Sequence, residues 1–345
     1  MRFGTFSSGA AAAALVLLAG APVAHAAGPP PPPTATGGQT VTTVASGLKT
    51  PTSFAFGHGM LFEGDGGSES NGPPNGGVFM LSGGTATKLS PSPQFVAGLA
   101  WHSGSLYISG GTLAGKATVK WQLQRWSGWD GSNFSHRTVL WTAPAQLDGL
   151  NGIAFGPDGR LYVGVDVGLT DGNDHAPAKT PYVYDILSFN PSGQHMRVFA
   201  TGMRQPWQLA FAPGSAYPFV SDLGQDKGAN PPDYVLHVHP GDNYGFPQCN
   251  GTTASICDGY TVPFQRFKPH TDIMGLAVIG DRLYMTSFTG VGGKGHGGEV
   301  LSMPLSGGAA TPVLTGFVAP TVGLAAHGNT LFVGELTGQV FSLTV

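Results

Sequence analysis

Gly152-Ile-Ala-Phe-Gly-Pro-Asp-Gly-Arg-Leu-Tyr-Val163 reads as an apolar run, a tight turn and a second apolar run. The phrase returns as Ser53-Phe-Ala-Phe…Met60-Leu-Phe62, Gly98-Leu-Ala-Trp…Leu106-Tyr-Ile108 and Gln208-Leu-Ala-Phe…Pro218-Phe-Val220. Two more copies are Gly275-Leu-Ala-Val…Leu283-Tyr-Met285 and Gly323-Leu-Ala-Ala…Leu331-Phe-Val333. The starts lie roughly 45 to 67 residues apart. Paired short strands at about 40–50 residues per repeat mark a β-propeller, one blade per repeat. The sequence therefore predicts an all-β chain of six blades around one axis. Equivalent positions of every blade should then meet at the ends of one channel.

Apolar residues resume after each phrase, giving third strands near 77–81, 122–126, 184–189, 234–238, 298–303 and 338–343. Outer strands are expected at 85–89, 137–141, 195–199 and 311–314, and blade four is left without one. The last repeat has only three strands, while Gln39-Thr-Val-Thr-Thr-Val-Ala45 precedes the first without a partner. The N-terminal strand is therefore expected to complete the last blade, closing the ring with no free edge.

Ahead of the repeats, Arg2, an apolar stretch from about Ala10 to Val23 and the small-x-small site Ala24-His25-Ala26 form a secretory signal. Residues 1–26 are read as the signal, 27–38 as a Pro/Gly-rich spacer and 39–345 as the propeller. The expected product is exported, secreted or periplasmic, with no integral membrane segment in the mature chain. The 55 Gly and 28 Pro suit many short strands and turns. Only 10% of residues are charged, the net charge is −3, and no Lys/Arg cluster occurs, so nucleic acid is not an expected partner. Cys249 and Cys257 are expected to form one disulfide in an exported chain. A metal pair is the alternative, and no His stands at a zinc-like spacing from them.

Propeller geometry puts Asp65, Ser109, Asp166, Asp222, Ser287 and Glu335, each just after a second strand, at one end of the channel. Asp148, Arg204 and His270 precede inner strands at similar offsets and belong to that same end. Four carboxylates there suggest an acidic rim suited to a metal, a cationic group or a sugar. Trp121, Trp126 and Trp129 read as blade packing. No Gly-x-Ser-x-Gly elbow occurs, which argues against a serine hydrolase.

Three segments carry a family resemblance. Gly202-Met-Arg-Gln-Pro-Trp-Gln-Leu-Ala-Phe211 resembles the G-x-R-N-P-x-G-L-A-F phrase of soluble glucose/sorbosone dehydrogenases. Asp233-Tyr-Val-Leu-His-Val-His-Pro-Gly-Asp-Asn-Tyr-Gly-Phe-Pro247 resembles their D-E-(I/L)-N-x-I-x-P-G-x-N-Y-G-W-P, and Asn151 to Val163 is similar to their N-G-L-x-F-G-P-D-G-x-L-Y-V. The segments stand in family order, and the resemblance spans about residues 40–345.

The resemblance implies oxidation of a sugar hydroxyl with hydride transfer to pyrroloquinoline quinone (PQQ), held with Ca2+ at the channel mouth, and an external electron acceptor. It implies that Arg204 pairs a quinone carboxylate, with Gln205 in the family's Asn position and His270 beside the pocket. Asp222, Asp226, Asp233 and Tyr244 become candidates for the calcium, with Asn243 and Gly245 shaping the adjoining loop. The family's general base is a His where this chain has Asp148, a weaker base at its ordinary pKa. Asp166 stands within one residue of that base's partner carboxylate. Tyr234 replaces a family Glu, and a later quinone-contacting Lys or Arg has no anchored counterpart, Lys294 and Arg282 being the nearest. A metal-dependent sugar lactonase and a non-catalytic glycan- or protein-binding propeller are the alternatives on the same scaffold.

Overall fold

The computed structural model describes residues 31–67, 75–114, 119–147, 149–166, 180–225, 231–250, 257–290 and 297–345. The signal at 1–26 lies outside them, as do Asp148, Asp226 and Lys294. Among the described residues there is no α-helix, hence none long and apolar enough to cross a membrane.

Six antiparallel sheets form the six blades. Blade one is Pro51–Gly57, Met60–Asp65, Gly77–Ser82 and Thr85–Lys88; blade two is Phe95–His102, Ser105–Leu113, Val119–Trp129 and Phe134–Thr142. Blade three is Leu150–Phe155, Leu161–Val165, Ile186–Phe189 and Arg197–Ala200; blade four is Pro206–Phe211, Pro218–Asp222, Asp233–His237 and Gln265–Phe267. Blade five is Ile273–Ile279, Arg282–Ser287, Glu299–Pro304 and Thr311–Thr315. Blade six is Thr321–His327, Thr330–Glu335, Gln339–Thr344 and, as expected, the N-terminal Val41–Ala45, whose Val41 lies opposite Leu343. Within the segment read as a spacer, Thr34–Ala35 adds a fifth strand to blade five.

The pattern of burial explains the strand chemistry. Inner strands are packed on both faces by neighbouring blades, so Pro51–Gly57 is nearly continuous in buried residues. The outer strand Thr85–Lys88 is mostly exposed and correspondingly polar. The core is divided into one cluster per seam between adjacent blades. Trp121 and Trp126 sit in two of these clusters, with Trp129 against the second, as packing residues.

The glycine of the repeated phrase has a specific cause. A Cβ on Gly152 would lie 2.7 Å from the Trp207 carbonyl of blade four, and one on Gly275 would lie 2.6 Å from the Leu324 amide of blade six. Backbone of the next inner strand approaches too closely for any side chain. The register between inner and second strand shifts at this same place in every blade, a bulge that bends each inner strand towards its neighbour. Side chains bridge the seams nearby: Thr52 donates to the Val96 carbonyl at 2.6 Å, Asn151 to Pro206 at 3.0 Å, Ser221 to Met274 at 2.6 Å and Thr286 to Val322 at 2.8 Å.

Glu63 departs from the apolar pattern. It is fully buried on the second strand of blade one, opposite Phe54 and Phe79, and both carboxylate oxygens lack a hydrogen-bond partner. The positions matching it in blades four to six hold Val220, Met285 and Val333. Burial pushes its carboxyl well above the ordinary range, and the nearby Asp65 charge adds to the effect.

Candidate active site

The end of the channel at which inner strands begin is built as the repeat requires. Pro51 pairs with Asp65, Pro206 with Asp222, Ile273 with Ser287 and Thr321 with Glu335. The Asp166 amide donates to the Gly149 carbonyl at 3.2 Å. These side chains are buried rather than forming an open acidic rim. Asp65, Asp222, Ser287 and Glu335 each hold the loop that enters their own blade. Asp65 accepts the Lys49 and Gly67 amides at 2.6 Å, Asp222 the Gln205 amide at 2.7 Å and Glu335 the Ala319 amide at 2.8 Å. Ser287 donates to the Thr271 carbonyl at 2.7 Å. Loop amides that would otherwise be buried without partners explain why acids recur here.

Several residues singled out in the sequence meet in one hydrogen-bonded line across blades three to five. Gln205 Nε2 donates to Asp166 Oδ2 at 3.3 Å, and its Oε1 accepts from Arg204 Nη1 at 3.1 Å. Arg204 Nη1 also donates to the Gly224 carbonyl at 2.6 Å. The Gly224 amide donates to Asp233 Oδ1 at 2.7 Å, and Asp233 Oδ2 accepts the Asp272 amide at 2.9 Å. His270, two residues away, holds a left-handed backbone (φ 60°) that Thr289 steadies by donating to its carbonyl at 2.6 Å. Asp148 is outside the described residues, but Gly149 is packed so tightly on Asp166 that a Cβ there would lie 2.8 Å from the Asp166 Cβ.

Burial sets the acidity of this line. The Asp222 carboxyl is pushed up to about 7 by desolvation, against the Gln205 amide and the Arg204 charge. Asp233 is also raised by burial, opposed by the amides of Asp272, Gly224 and Thr271 and by His270. Tyr244 does not join these carboxylates. Its hydroxyl is committed to the His237 carbonyl and Asp242 Oδ2, both at 3.3 Å, and burial raises its phenol. Among the described residues no three His, Cys, Asp or Glu side chains converge as a metal site.

Beside this line, blade four opens a cleft. Arg204, Asp222, Tyr234, Tyr244, Tyr260 and Arg266 line it, and the Cys249–Cys257 disulfide, with a Cα–Cα distance of 4.9 Å, borders it. The expected disulfide is thus present. Arg204 is only 5% exposed, and its Nε is buried without a partner. Towards the inner strands, Trp207, Met274 and Val322 pack with Leu223, Phe288 and Leu336 in an apolar cluster of blades four to six. Trp207 Nε1 is a second buried donor without a partner. Arg266 carries little signal in the sequence, because the outer strand that bears it, Gln265–Phe267, is only three residues long.

Comparison with solved structures places this architecture. An oxidoreductase of glucose dehydrogenase type from Thermus thermophilus matches with a TM-score of 0.71 at 22% identity, covering 89% of this chain and 100% of that one. The PQQ-bound aldose sugar dehydrogenase of Streptomyces coelicolor matches at 0.66 and 20% identity, covering 90% and 99%. The chain has the fold of the sugar dehydrogenase propellers. A gluconolactonase from Xanthomonas campestris matches at 0.55 and 15% identity, covering 91% and 94%. No protein-family profile and no curated protein matches the sequence. At these identities the likeness is one of fold, and fold alone does not select among chemistries.

Proposed function

We propose that this chain is an exported sugar dehydrogenase-like oxidoreductase that holds PQQ at the blade-four side of the channel end. The observation that carries the reading is the Arg204 Nε, a buried donor with no partner in the wall of a cleft. An orphaned guanidinium donor is costly unless an anion completes it, and a carboxylate suits its planar fork. The rings of Tyr234, Tyr244, Phe246 and Tyr260 in the cleft wall suit a flat ring system. The described residues thus fit the quinone. They do not fit the calcium: Asp222 and Asp233 already accept backbone amides, and Tyr244 is turned to Asp242.

When bound, PQQ supplies the two-electron acceptor for sugar oxidation, to be reoxidised by an external acceptor. The chain's own residues do the rest. Arg204 fixes the ligand's carboxylate, and Gln205 fixes Arg204. In this reading Asp166, buried and held through Oδ2 by Gln205, takes a hydroxyl proton or orients a second base. Asp148, in the family's base position, is that second base in this reading.

The test is reconstitution of the purified protein with PQQ, with and without Ca2+, followed by dye reduction over a panel of aldoses. A change in the quinone absorbance together with dye reduction is the expected result. Absence of both with every aldose would sink the reading. Lactone hydrolysis restored by a divalent cation after chelation would replace it with the lactonase alternative.

A further inference from the structure

The cleft contains a second guanidinium that the resemblance does not supply. Arg266, on the outer strand of blade four, is exposed and makes no hydrogen bond through its side chain among the described residues. Its guanidinium carbon lies 5.8 Å from the centre of the Tyr234 ring, so the ring face holds the cation at the cleft. Arg204 enters the same cleft from the inner-strand side, buried, with its Nε unsatisfied. Two guanidinium groups with unused donors therefore border one space from opposite ends of the sheet. The rings of Tyr234, Tyr244, Phe246 and Tyr260 line the same space.

The described residues that flank positions 251–256 are tied to the cleft wall. Asn250 Nδ2 donates to Gln225 Oε1 at 3.2 Å, the Tyr234 hydroxyl donates to the Asn250 carbonyl at 3.4 Å, and the disulfide closes the loop on itself. Asp222, the one acid in the wall among the described residues, already accepts the Gln205 amide. Aromatic walls favour a flat ligand, and separated guanidinium forks favour more than one carboxylate.

We propose that the blade-four cleft is a clamp for a flat ligand bearing at least two carboxylates, with Arg204 holding one at depth and Arg266 another at the rim. The proposal deepens the dehydrogenase reading and rests on it for the identity of the ligand as PQQ; the class of ligand comes from the cleft. Arg266 is a binding residue here, with no part in proton or hydride transfer.

The experiment is calorimetric titration of the full chain with four probes: PQQ, pyridine-2,6-dicarboxylate, benzoate and inorganic phosphate. Wild type is expected to bind the first two more tightly than the last two. Arg266→Ala, at an exposed and unpaired position, should fold normally and weaken both polycarboxylates about tenfold or more. Arg266→Lys should fall between, since it keeps the charge and loses the fork. Arg204→Lys, confirmed folded by its unfolding transition, should weaken both probes at least as much. Unchanged affinity in Arg266→Ala overturns the clamp, even if PQQ binds and the dehydrogenase reading survives. Phosphate binding as tightly as the dicarboxylate also overturns it. Arg266-dependent binding without dye reduction on any aldose upholds the clamp while removing the dehydrogenase reading.

Discussion

Replacing Glu63 by Gln keeps the shape of the side chain and removes its proton equilibrium. In the folded chain this carboxyl is fully buried without a partner, and burial holds it well above the ordinary 4.5. Above that ordinary value the unfolded chain releases a proton that the folded chain keeps. A raised carboxyl therefore makes stability fall as pH rises, by up to about 1.4 kcal/mol per pH unit, or about 3 kcal/mol between pH 5 and 7. The loss levels off once pH passes the folded-state value. Glu63→Gln should show a shallower decline over this window, by up to that amount. Glu63→Met also removes the unsatisfied oxygens and supplies the side chain that blade five carries at Met285, so it should exceed wild type at pH 7. The assay is urea unfolding of all three proteins at pH 5, 6 and 7. Acids away from this strand titrate in all three alike, so the difference between proteins reports Glu63 together with its neighbour Asp65. Equal pH slopes in wild type and Glu63→Gln would refute the reasoning.

Gly275→Ala should destabilise by several kcal/mol, because the new Cβ would meet blade six backbone that cannot move without opening a seam; a thermal midpoint within a degree of wild type would count against it. Changing Cys249 and Cys257 together to Ser releases an eight-residue separation and should cost about 2–3 kcal/mol on chain-entropy grounds, seen as a lower urea midpoint and weaker dicarboxylate binding; no change in either speaks against a fastened loop. Asp148→His should raise dye-reduction turnover at pH 7, since His has the ordinary pKa nearer the working pH; lower turnover with PQQ still bound would show that residue 148 is not the base.

The repeat made the blades legible because the seams impose a common demand: apolar strands on either side and, in four of the six blades, a bare glycine where backbones meet. The closing strand was legible for a related reason, a leftover strand at one end and a missing one at the other. Blade four's outer strand was not. Gln265–Phe267 is three residues long and follows the excursion that carries the disulfide, so neither length nor neighbour identifies it. Arg266 stayed hidden with it. The acids at the channel end were correctly placed, yet their use was not visible, because whether a carboxylate faces solvent or caps Gln205 depends on a loop path that spacing does not encode. Glu63 stands beside Gly64 and Asp65 near the end of its strand, and only the packed seam shows it to be a core residue.

The clasp in blade six has a mechanical consequence. Val41 lies opposite Leu343 in an antiparallel pair, so force applied through the two flanking chain segments acts at the same end of that pair. Such loading opens a ladder one rung at a time rather than shearing all rungs together. A pull should first strip Thr34–Ala35 from blade five and then peel Val41–Ala45 from the last blade, at low force. Closing the clasp fixes a loop of about 300 residues at an entropic cost of about 5 kcal/mol. The clasp is thus comparatively weak against tension on the segments that flank it.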